Sequence, residues 1–355
     1  MSLKILVTGG GTGGHIFPAL EVAKLARLAG HDVRYFGSYR GQERAACAAI
    51  HLPFKAFHVG PVYKPVSIRG ARSVIKLLVA SSAVTKSLRG DPPNVILGTG
   101  GYSSAPVMLA AKKCRLPTVI HEQNSVPGRT QLMAAKTAFR VCTVFEGSAK
   151  RFGSATVVRT GMPVRSEFRA ATNRQGTQIL VMGGSQGSQT LNEEALATAG
   201  VLRPGSIEWF HITGKENFEH VKLASRELPS NVPYSVEAYL DGKEMAAAMA
   251  GASVAVCRSG AGTIAELAAT RVPSVLVPYK FAFGDHQRVN AEEMTALGGA
   301  TIVAQDNLTP QTLSSALEKW LDDPAACQSA GDALARWDLP DAAERILAIM
   351  VEAAN

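Results

Sequence analysis

The feature that most constrains the fold is a short apolar run followed by a glycine loop, and it occurs twice. The segment KILVTGGGTGGHIFPAL covers residues 4–20, and QILVMGGSQGS covers residues 178–188, an offset of 174 positions. In each copy a predicted strand ends in glycines that lead into a helix, as at the start of a doubly wound parallel sheet. The repeat predicts two domains of the same kind.

Apolar runs alternate with helical patterns along both halves of the chain. KILVTG, DVRYFG, NVILGTG, PTVIHEQ, RVCTVF and TVVRTG are predicted strands of the first half, and QILVMGG, IEWFHITG, YSVEAYL, ASVAVCRSG, PSVLVPY and ATIVA of the second. This alternation predicts the α/β class, with two Rossmann-like domains joined near Pro163. Ligands of such sheets bind beyond the carboxyl ends of the strands, so both glycine loops are expected to face one central cleft.

The composition is that of an ordinary soluble globular chain, and the length predicts two domains. The 355 residues are 46% hydrophobic and 19% charged, and no apolar run approaches the length of a membrane span. The N-terminus is predicted to be a strand rather than a signal peptide. The five cysteines are scattered and never spaced as CxxC, which favours neither disulfides nor a zinc site and points to a reducing cytoplasm.

The first glycine loop contains the spacing G-x-G-x-x-G, formed by Gly9, Gly11 and Gly14. An NAD site also needs an acidic residue at the end of the second strand, where this chain has Gly37 and Ser38. The Lys-Ser/Thr pair of a P-loop is missing as well. Two interpretations remain: an anion held by backbone N–H groups at a helix N-terminus, or a purely structural turn.

His15 follows this loop directly, and Pro18 is expected at the start of the next helix. A helix N-terminus disfavours the imidazolium ion, so a histidine there tends to stay neutral. A neutral imidazole beside an anion site is what a general base requires. A structural histidine is the alternative.

Charge is distributed unevenly between the two halves. Residues 1–163 contain 22 Lys/Arg and 6 Asp/Glu, whereas residues 164–355 contain 15 and 23. Between Glu43 and Asp91 there are eight Lys/Arg and no acidic residue. The first half is therefore expected to face an anionic partner, with a solvated basic surface as the alternative.

Seven motifs in one order carry a family resemblance: GGGTGGHIFPAL, LGTGGYSSAP, HEQNSVPG, GMPVR, MGGSQGSQTLN, CRSGAGTIAEL and DHQRVNA. Together they resemble the MurG family, the N-acetylglucosaminyltransferases that make lipid II for peptidoglycan, over the whole chain. The resemblance implies a GT-B fold and an inverting transfer of GlcNAc from UDP-GlcNAc. The acceptor would be the MurNAc 4-hydroxyl of lipid I, undecaprenyl-diphosphate-MurNAc-pentapeptide, without a cofactor or metal.

The resemblance also implies the domain roles and the partners. Residues 1–163 would form the acceptor- and membrane-facing domain, residues 164–339 the UDP-GlcNAc domain, and a helix at 340–355 would pack back on the first. The protein would lie peripherally on the cytoplasmic face of the bacterial plasma membrane. It would contact an anionic surface and other cell-wall synthesis proteins, and no nucleic acid.

Site residues carry over from the family's motifs to matching positions. Glu266 would hold the ribose hydroxyls, the Leu240 backbone would contact uracil, and Gln287 would bind hydroxyls of the donor sugar. His15 is the favoured base and Glu122 the alternative. The implied donor-binding set is Thr12, Gly13, Gly14, Asn124, Arg165, Ser185, Leu240, Ala261, Gly262, Thr263, Ile264, Ala265, Glu266 and Gln287.

The residues of CRSGAGTIAEL support a donor site independently. A strand ends, glycines turn, and a helix begins near Thr263, so its N–H groups and dipole suit a diphosphate. Glu266, one turn further on, could accept both hydroxyls of a diol. Fixed N–H donors would also stabilise the charge that grows on departing UDP. Arg258 and Cys257 are interpreted as structural residues outside the site.

Two positions depart from the family pattern. Met162 stands where the family has asparagine in a Gly-Asn-Pro segment, and the YLDGKEM segment at 239–245 is two residues longer than usual. The first change affects hydrogen bonding at the linker. The second affects the placement of Leu240 at uracil.

Residues 64–90 contain six Lys/Arg and no acid, with apolar residues interleaved. This pattern predicts an interfacial membrane patch, in which basic side chains face anionic headgroups. An amphipathic helix that packs on the core with a basic outer face is the alternative. The predicted membrane patch consists of Ile68, Arg69, Arg72, Ile75, Lys76 and Val79.

Three other functions stay open at this stage. One is a different GT-B glycosyltransferase or an epimerase that uses UDP-GlcNAc, which donor and acceptor screening would separate. Another is a non-enzymatic sugar-nucleotide or membrane-binding module, which the combination of both glycine loops, His15 and Glu266 disfavours. Nucleic-acid binding by the basic half is disfavoured because the aromatic interleaving of an RNP motif is missing.

Overall fold

A computed structural model describes residues 1–61, 67–171, 176–184, 187–202 and 207–355, with the side chains of Ile68 and Arg69 also outside the description. The chain divides into two compact units. The first comprises Met1–Pro163 and Leu339–Asn355, and the second comprises Val164–Asp338. Each unit is built around one parallel sheet, which confirms the predicted fold class.

The sheet of the first unit has the strand order β3-β2-β1-β4-β5-β6-β7, and every neighbouring pair is parallel. Its strands are β1 (Lys4–Thr8), β2 (Asp32–Ser38), β3 (Phe54–Phe57), β4 (Val95–Gly98), β5 (Thr118–Glu122), β6 (Arg140–Thr143) and β7 (Val157–Arg159). The helices between them are α1 (Gly13–Leu28), α2 (Glu43–Ala49), α3 (Ile68–Gly90), α4 (Ala105–Cys114) and α5 (Arg129–Ala135), and Glu146–Arg151 is a 3₁₀ turn.

The sheet of the second unit has the order β10-β9-β8-β11-β12-β13 and is also parallel. Its strands are β8 (Gln178–Met182), β9 (Glu208–Ile212), β10 (Tyr234–Glu237), β11 (Ala252–Cys257), β12 (Ser274–Leu276) and β13 (Ala300–Ile302). The accompanying helices are α6 (Ser166–Ala170), α7 (Gln189–Val201), α8 (Phe218–Ala224), α9 (Gly242–Ala250), α10 (Ala261–Thr270), α11 (His286–Ala296), α12 (Pro310–Leu321) and α13 (Pro324–Trp337). Short 3₁₀ turns occur at Ser225–Glu227, Phe283–Asp285 and Gln305–Asn307.

Side chains of β1 alternate between the two faces of the first sheet, as in any strand. Ile5 and Val7 are buried against α1, and Leu6 is buried on the opposite face, toward α3 and α4. The last helix of the chain, α14 (Ala342–Ala354), lies on the α1 side and adds Ile346 and Met350 to that core. The C-terminal segment thus belongs to the first unit although it follows the second in sequence.

Two local predictions differ from the structure. The helix after the first glycine loop begins at Gly13, so Pro18 lies inside α1 rather than at its start. Pro18 has no N–H to donate to the Gly14 carbonyl, so α1 lacks one backbone hydrogen bond near its start and nevertheless continues to Leu28. Strand β3 was not predicted, because FKAF is short and mixes a lysine into the apolar run.

Candidate active site

The first glycine loop, which follows β1, lies against the glycine-containing loop that follows β4. The loop after β4, residues 99–101, meets the loop after β1 through a hydrogen bond of 3.2 Å from the Gly10 N–H to the Gly100 carbonyl. At Gly101, φ is +77° and a Cβ atom would lie 1.8 Å from the Gly10 carbonyl oxygen. Only glycine permits this close approach, which explains on steric grounds why the LGTGGY motif has glycine at position 101.

His15 lies in the first turn of α1, between these loops. Its Nδ1 is 2.9 Å from the Thr12 hydroxyl, and the side of the ring that carries Cδ2 and Nε2 lies against Gly100. Thr99 donates a hydrogen bond of 2.7 Å to the His15 carbonyl and so ties the helix start to β4. Thr12 is the N-cap residue of α1, but its side chain contacts the imidazole instead of a backbone N–H. The ring is therefore oriented by Thr12, and the N–H groups of Gly13 and Gly14 lie at the open helix end.

Glu122 ends β5 and is only 2% exposed. Its carboxylate accepts hydrogen bonds from the backbone N–H of Asn124 at 2.9 Å and of Gly128 at 3.1 Å, and the Asn124 side-chain amide lies 3.4 Å away. Burial raises the pKa of Glu122 to about 7, against the lowering effect of these N–H groups. The carboxyl group thus folds the HEQNSVPG loop around itself and positions Asn124, which the family resemblance places at the donor sugar.

In the second unit, the helix α10 begins directly after the carboxyl end of β11. Gly260 is its N-cap and provides no side-chain cap, and the Ile264 N–H already bonds the Gly260 carbonyl at 3.0 Å. The N–H groups of Ala261, Gly262 and Thr263 are the ones a helix start leaves without an intrahelical acceptor. The side chains of Ile264 and Ala265 are buried and apolar, and they cannot bind an anion. The groups that this segment can offer an anion are therefore the three backbone N–H groups.

Glu266 lies on α10 one turn beyond these N–H groups, and Arg165 donates a hydrogen bond of 2.9 Å to it. Both side chains are about one-fifth exposed, at 20% for Arg165 and 22% for Glu266. Burial raises the pKa of Glu266, whereas the charge and hydrogen bond of Arg165 oppose that change. Arg165 is thus placed as the partner of the carboxylate predicted to hold the ribose.

Two further predicted donor residues, Gln287 and Leu240, lie on elements that follow strands of the second sheet. Gln287, in the first turn of α11, accepts the Tyr279 N–H through its side-chain oxygen at 2.9 Å, so this oxygen is engaged within the protein. Leu240 is half-buried between β10 and Asp241, the N-cap of α9. Ser185 lies outside the described residues. Met162, the departure at the linker, is a buried apolar residue.

Helix α3 of the first unit carries the predicted membrane patch. Ala80, Val84 and Leu88 pack into the core, whereas Ile75, Leu78 and Val79 are 59%, 60% and 65% exposed. Arg72 and Lys76 are exposed on the same outward face. For Ile68 and Arg69 the structure describes the backbone only. Among the described helices, none is both long and apolar enough to cross a membrane.

Sequence reasoning missed residues whose roles depend on contacts far apart in the chain. Gln131 donates to the carbonyls of His121 and Gly98 and thereby braces the strand ends behind His15. Arg258, interpreted from the sequence as structural, proves to be buried at the carboxyl end of β11. In the parts of the chain that the structure covers, no cluster of three His, Cys, Asp or Glu side chains could hold a metal ion.

Two parallel-sheet units, each with a glycine loop at its first strand, define the class of GT-B glycosyltransferases. Comparison with family models agrees, because residues 5–143 match the glycosyltransferase family 28 N-terminal domain and residues 178–346 match the family 28 C-terminal domain. Both halves of the chain therefore match glycosyltransferase family 28.

Curated relatives and a solved structure narrow the class to a family. A UDP-N-acetylglucosamine--N-acetylmuramyl-(pentapeptide) pyrophosphoryl-undecaprenol N-acetylglucosamine transferase from Syntrophotalea carbinolica is 35% identical, with 98% of each chain covered. The enzyme of the same name from an Exiguobacterium strain is 32% identical, with 99% of each covered. The crystal structure of Acinetobacter baumannii MurG is 29% identical, with a TM-score of 0.81 and 99% of each chain covered. The chain belongs to the MurG family, which confirms the resemblance drawn from its motifs.

Proposed function

We propose that this protein transfers N-acetylglucosamine from UDP-GlcNAc to the 4-hydroxyl of the MurNAc residue of lipid I, with inversion to a β-1,4 bond and release of UDP. The product, lipid II, is the precursor of peptidoglycan, so the activity belongs to cell-wall synthesis. The observation that carries the proposal is the open N-terminus of α10 with the Arg165–Glu266 pair one turn further on. This arrangement offers N–H donors to a diphosphate and the carboxyl oxygens of Glu266 as acceptors to a ribose diol.

The reaction follows from these groups. The acceptor oxygen attacks the anomeric carbon while the bond from that carbon to the diphosphate oxygen breaks, and the electron pair leaves with UDP. The N–H groups at the start of α10 stabilise the negative charge that grows on the leaving diphosphate, without reorganising as it forms. The hydroxyl proton must go to a base. His15 is our choice, because Thr12 orients its ring at an open helix terminus of the first unit.

No metal or cofactor has a place in this mechanism. Fixed N–H dipoles at α10 would provide the electrostatic stabilisation that a divalent ion provides in other enzymes. We propose that these N–H groups are sufficient for the reaction without a bound metal ion. Turnover that persists in EDTA is the expected result, and turnover lost on chelation and restored by Mg²⁺ would refute it.

We further propose that the first unit docks peripherally on the cytoplasmic leaflet, where an undecaprenyl-linked acceptor resides. The support is the outward face of α3, on which Arg72 and Lys76 adjoin the exposed Ile75, Leu78 and Val79. Basic residues attract anionic headgroups, and shallow apolar insertion then adds to the binding.

The experiment that tests the transferase activity measures UDP release by the full-length protein from UDP-GlcNAc, with and without a lipid I analogue of short prenyl chain. Acceptor-dependent UDP release and a disaccharide product are expected. UDP-GalNAc as donor and a MurNAc-lacking lipid diphosphate as acceptor are the controls. Release without acceptor dependence would indicate a hydrolase or epimerase, and binding without turnover would indicate a non-enzymatic module.

A further inference from the structure

A stacked pair of rings lies at the outer edge of the first sheet. Tyr39 directly follows β2, and His58 directly follows β3, which is the edge strand. Their ring centroids are 4.2 Å apart with an interplanar angle of 22°, and Tyr39 is 52% exposed. The Tyr39 N–H donates to the Phe57 carbonyl at 3.3 Å and so joins the two strand ends. The pair therefore lies at the end of the strands where open parallel sheets bind ligands.

Arg44, in the first turn of α2, lies against the same rings. Its guanidinium carbon is 5.7 Å from the centroid of the Tyr39 ring and 5.6 Å from that of Phe54. An aromatic ring attracts the cation but supplies no oxygen acceptor for its N–H groups. Among the residues that the structure describes, none accepts a hydrogen bond from Arg44 or forms an ion pair with it. The exposed guanidinium is thus held by rings while its N–H groups face solvent.

The one acidic residue of this region does not balance the charge. Residues 33–90 contain a single acid, Glu43, and it is 0% exposed. Its carboxylate points inward, because a Cβ atom at Gly10 would overlap it. Arg44 and the exposed Arg40 therefore present positive charge at the surface without a carboxylate from their own part of the chain. The residues Tyr39, Arg40, Arg44 and His58 are named the edge cluster below.

The edge cluster lies within reach of the first glycine loop. Strand β2 separates β3 from β1, and neighbouring strands are about 4.8 Å apart, so the end of β3 lies about 10 Å from the end of β1. Glu43, at the start of α2, packs against Gly10 of the loop and connects the two places directly. An extended pentapeptide spans up to about 17 Å. An acceptor whose sugar lies near His15 could therefore place a peptide of this length on the edge cluster.

We infer that the edge cluster binds the peptide stem of the acceptor and pairs Arg44 with a peptide carboxylate. The inference rests on the proposed transferase function and deepens it, since the acceptor proposed above carries a pentapeptide. A muramyl group acylates the amino end of its peptide, so a carboxylate remains at the other end. The planar guanidinium can donate two parallel N–H groups to such a carboxylate. The rings of Tyr39 and His58 offer a flat surface on which peptide groups can pack.

The test uses three acceptors of short prenyl chain that differ only in the peptide. One carries the pentapeptide, one carries the same peptide with its carboxyl groups amidated, and one is the MurNAc lipid without a peptide. Initial rates of UDP release by the full-length protein at saturating UDP-GlcNAc give kcat and KM for each acceptor. The wild type is expected to have a KM for the pentapeptide acceptor about 3- to 10-fold below that for the amidated one.

Variants then assign this preference to the edge cluster. Arg44→Gln should raise the KM for the pentapeptide acceptor about 3- to 10-fold and leave the KM for the amidated acceptor within about twofold. Tyr39→Ala should raise the KM for both peptide acceptors but not for the peptide-free one, because the ring contacts the peptide rather than its charge. Arg115→Gln, which alters an exposed arginine before β5 at the opposite end of the same sheet, is the matched control and should change none of these values.

Several outcomes would overturn the inference. Equal KM values of the wild type for the pentapeptide and amidated acceptors would do so, and a loss in Arg44→Gln that is the same for all three acceptors would indicate a structural role. Unchanged kinetics of Arg44→Gln with lost co-sedimentation on anionic vesicles would assign the edge cluster to the membrane surface. If Arg44→Gln does not fold, Tyr39→Ala decides, and wild-type KM values for both peptide acceptors count against the role.

The same measurements separate this inference from the proposed function. A wild type that transfers GlcNAc to none of the three acceptors overturns the transferase proposal and the inference with it. Turnover on all three acceptors without any effect of the peptide carboxylates overturns only the role of the edge cluster.

Discussion

Arg165 Nη2 lies 2.9 Å from Glu266 Oε1, although the two residues are 101 positions apart in the chain. The pair joins the segment that follows Pro163 to the helix α10 within the second unit. Burial raises the pKa of Glu266, and Arg165 opposes this change, so the arginine favours the ionised carboxylate that a ribose diol needs as acceptor. The structure thus gives Arg165 a contact that its place in the GMPVR motif did not reveal.

Glu266→Ala should weaken UDP binding by about 1–3 kcal/mol, because the ribose hydroxyls lose their shared acceptor. Arg165→Gln should weaken it as well, and the double variant should lose less than the sum of the two, with a coupling of about 0.5–3 kcal/mol. Calorimetry with UDP measures all four proteins, and Glu216→Gln, an exposed glutamate of the same unit, is the control. Strictly additive losses would show that Arg165 does not act through Glu266.

His15→Ala should lower kcat by about 10²–10⁴-fold while the KM for UDP-GlcNAc changes little, because a general base acts on the acceptor proton. Thr12→Val should cause a smaller loss of kcat, since it removes the hydroxyl 2.9 Å from His15 Nδ1 but keeps the imidazole. His220→Ala, which alters an exposed histidine of the second unit, serves as the control. If chemistry is rate-limiting and His15→Ala retains kcat within threefold, the base must be sought elsewhere, with Glu122 as the next candidate.

Glu122 should titrate near neutral pH. In the folded protein its pKa is about 7, against 4.5 for an ordinary glutamate. Between these values the folded state holds a proton that the unfolded chain has lost, so the stability due to this group falls as pH rises from about 4.5 to 7. A pKa shift of this size corresponds to about 3 kcal/mol.

Two measurements check this expectation. In protein labelled with ¹³C at the glutamate carboxyls, the resonance that is missing from Glu122→Gln should titrate with a midpoint near 7. The free energy of unfolding of Glu122→Gln should also depend less on pH between 5 and 7 than that of the wild type. Glu344→Gln, on an exposed position of α14, should keep the wild-type dependence. A midpoint near 4.5 for the Glu122 resonance would contradict the assignment.

Replacement of Arg69, Arg72 and Lys76 by glutamate should abolish binding to anionic vesicles, because it reverses three charges of the predicted membrane patch. Wild-type binding should weaken as salt rises, since the attraction is screened. The variant should lose activity on vesicle-embedded acceptor and keep it on a soluble short-chain acceptor. Glutamate at Lys112, Lys113 and Lys136, three basic positions of the first unit on α4 and after α5, is the charge-matched control. Co-sedimentation that is the same for wild type and patch variant would mean that the basic stretch is a solvated surface.

The sequence by itself determined the fold class and predicted the loops at which ligands would bind. Short continuous apolar runs such as KILVT and QILVM become buried strands, and the glycines after them turn the chain, because both effects depend on neighbouring residues alone. The seven motifs then identified the family, because each is a short contiguous segment that can be recognised without knowledge of the fold. The limits of local reasoning appear at β3, whose pattern FKAF is too short to stand out, and at Pro18, which α1 contains rather than begins with.

Only the tertiary structure decided which side chains meet and how their charges are balanced. Arg165 and Glu266, and likewise Ser188 and Arg258, become partners because a parallel sheet collects the carboxyl ends of strands that are far apart in the chain. The same packing buries Glu122 and raises its pKa to about 7. Burial and pairing arise from residues distant in sequence, so no local pattern could have shown that Arg258 is buried and donates to Ser188, Val277 and Pro278.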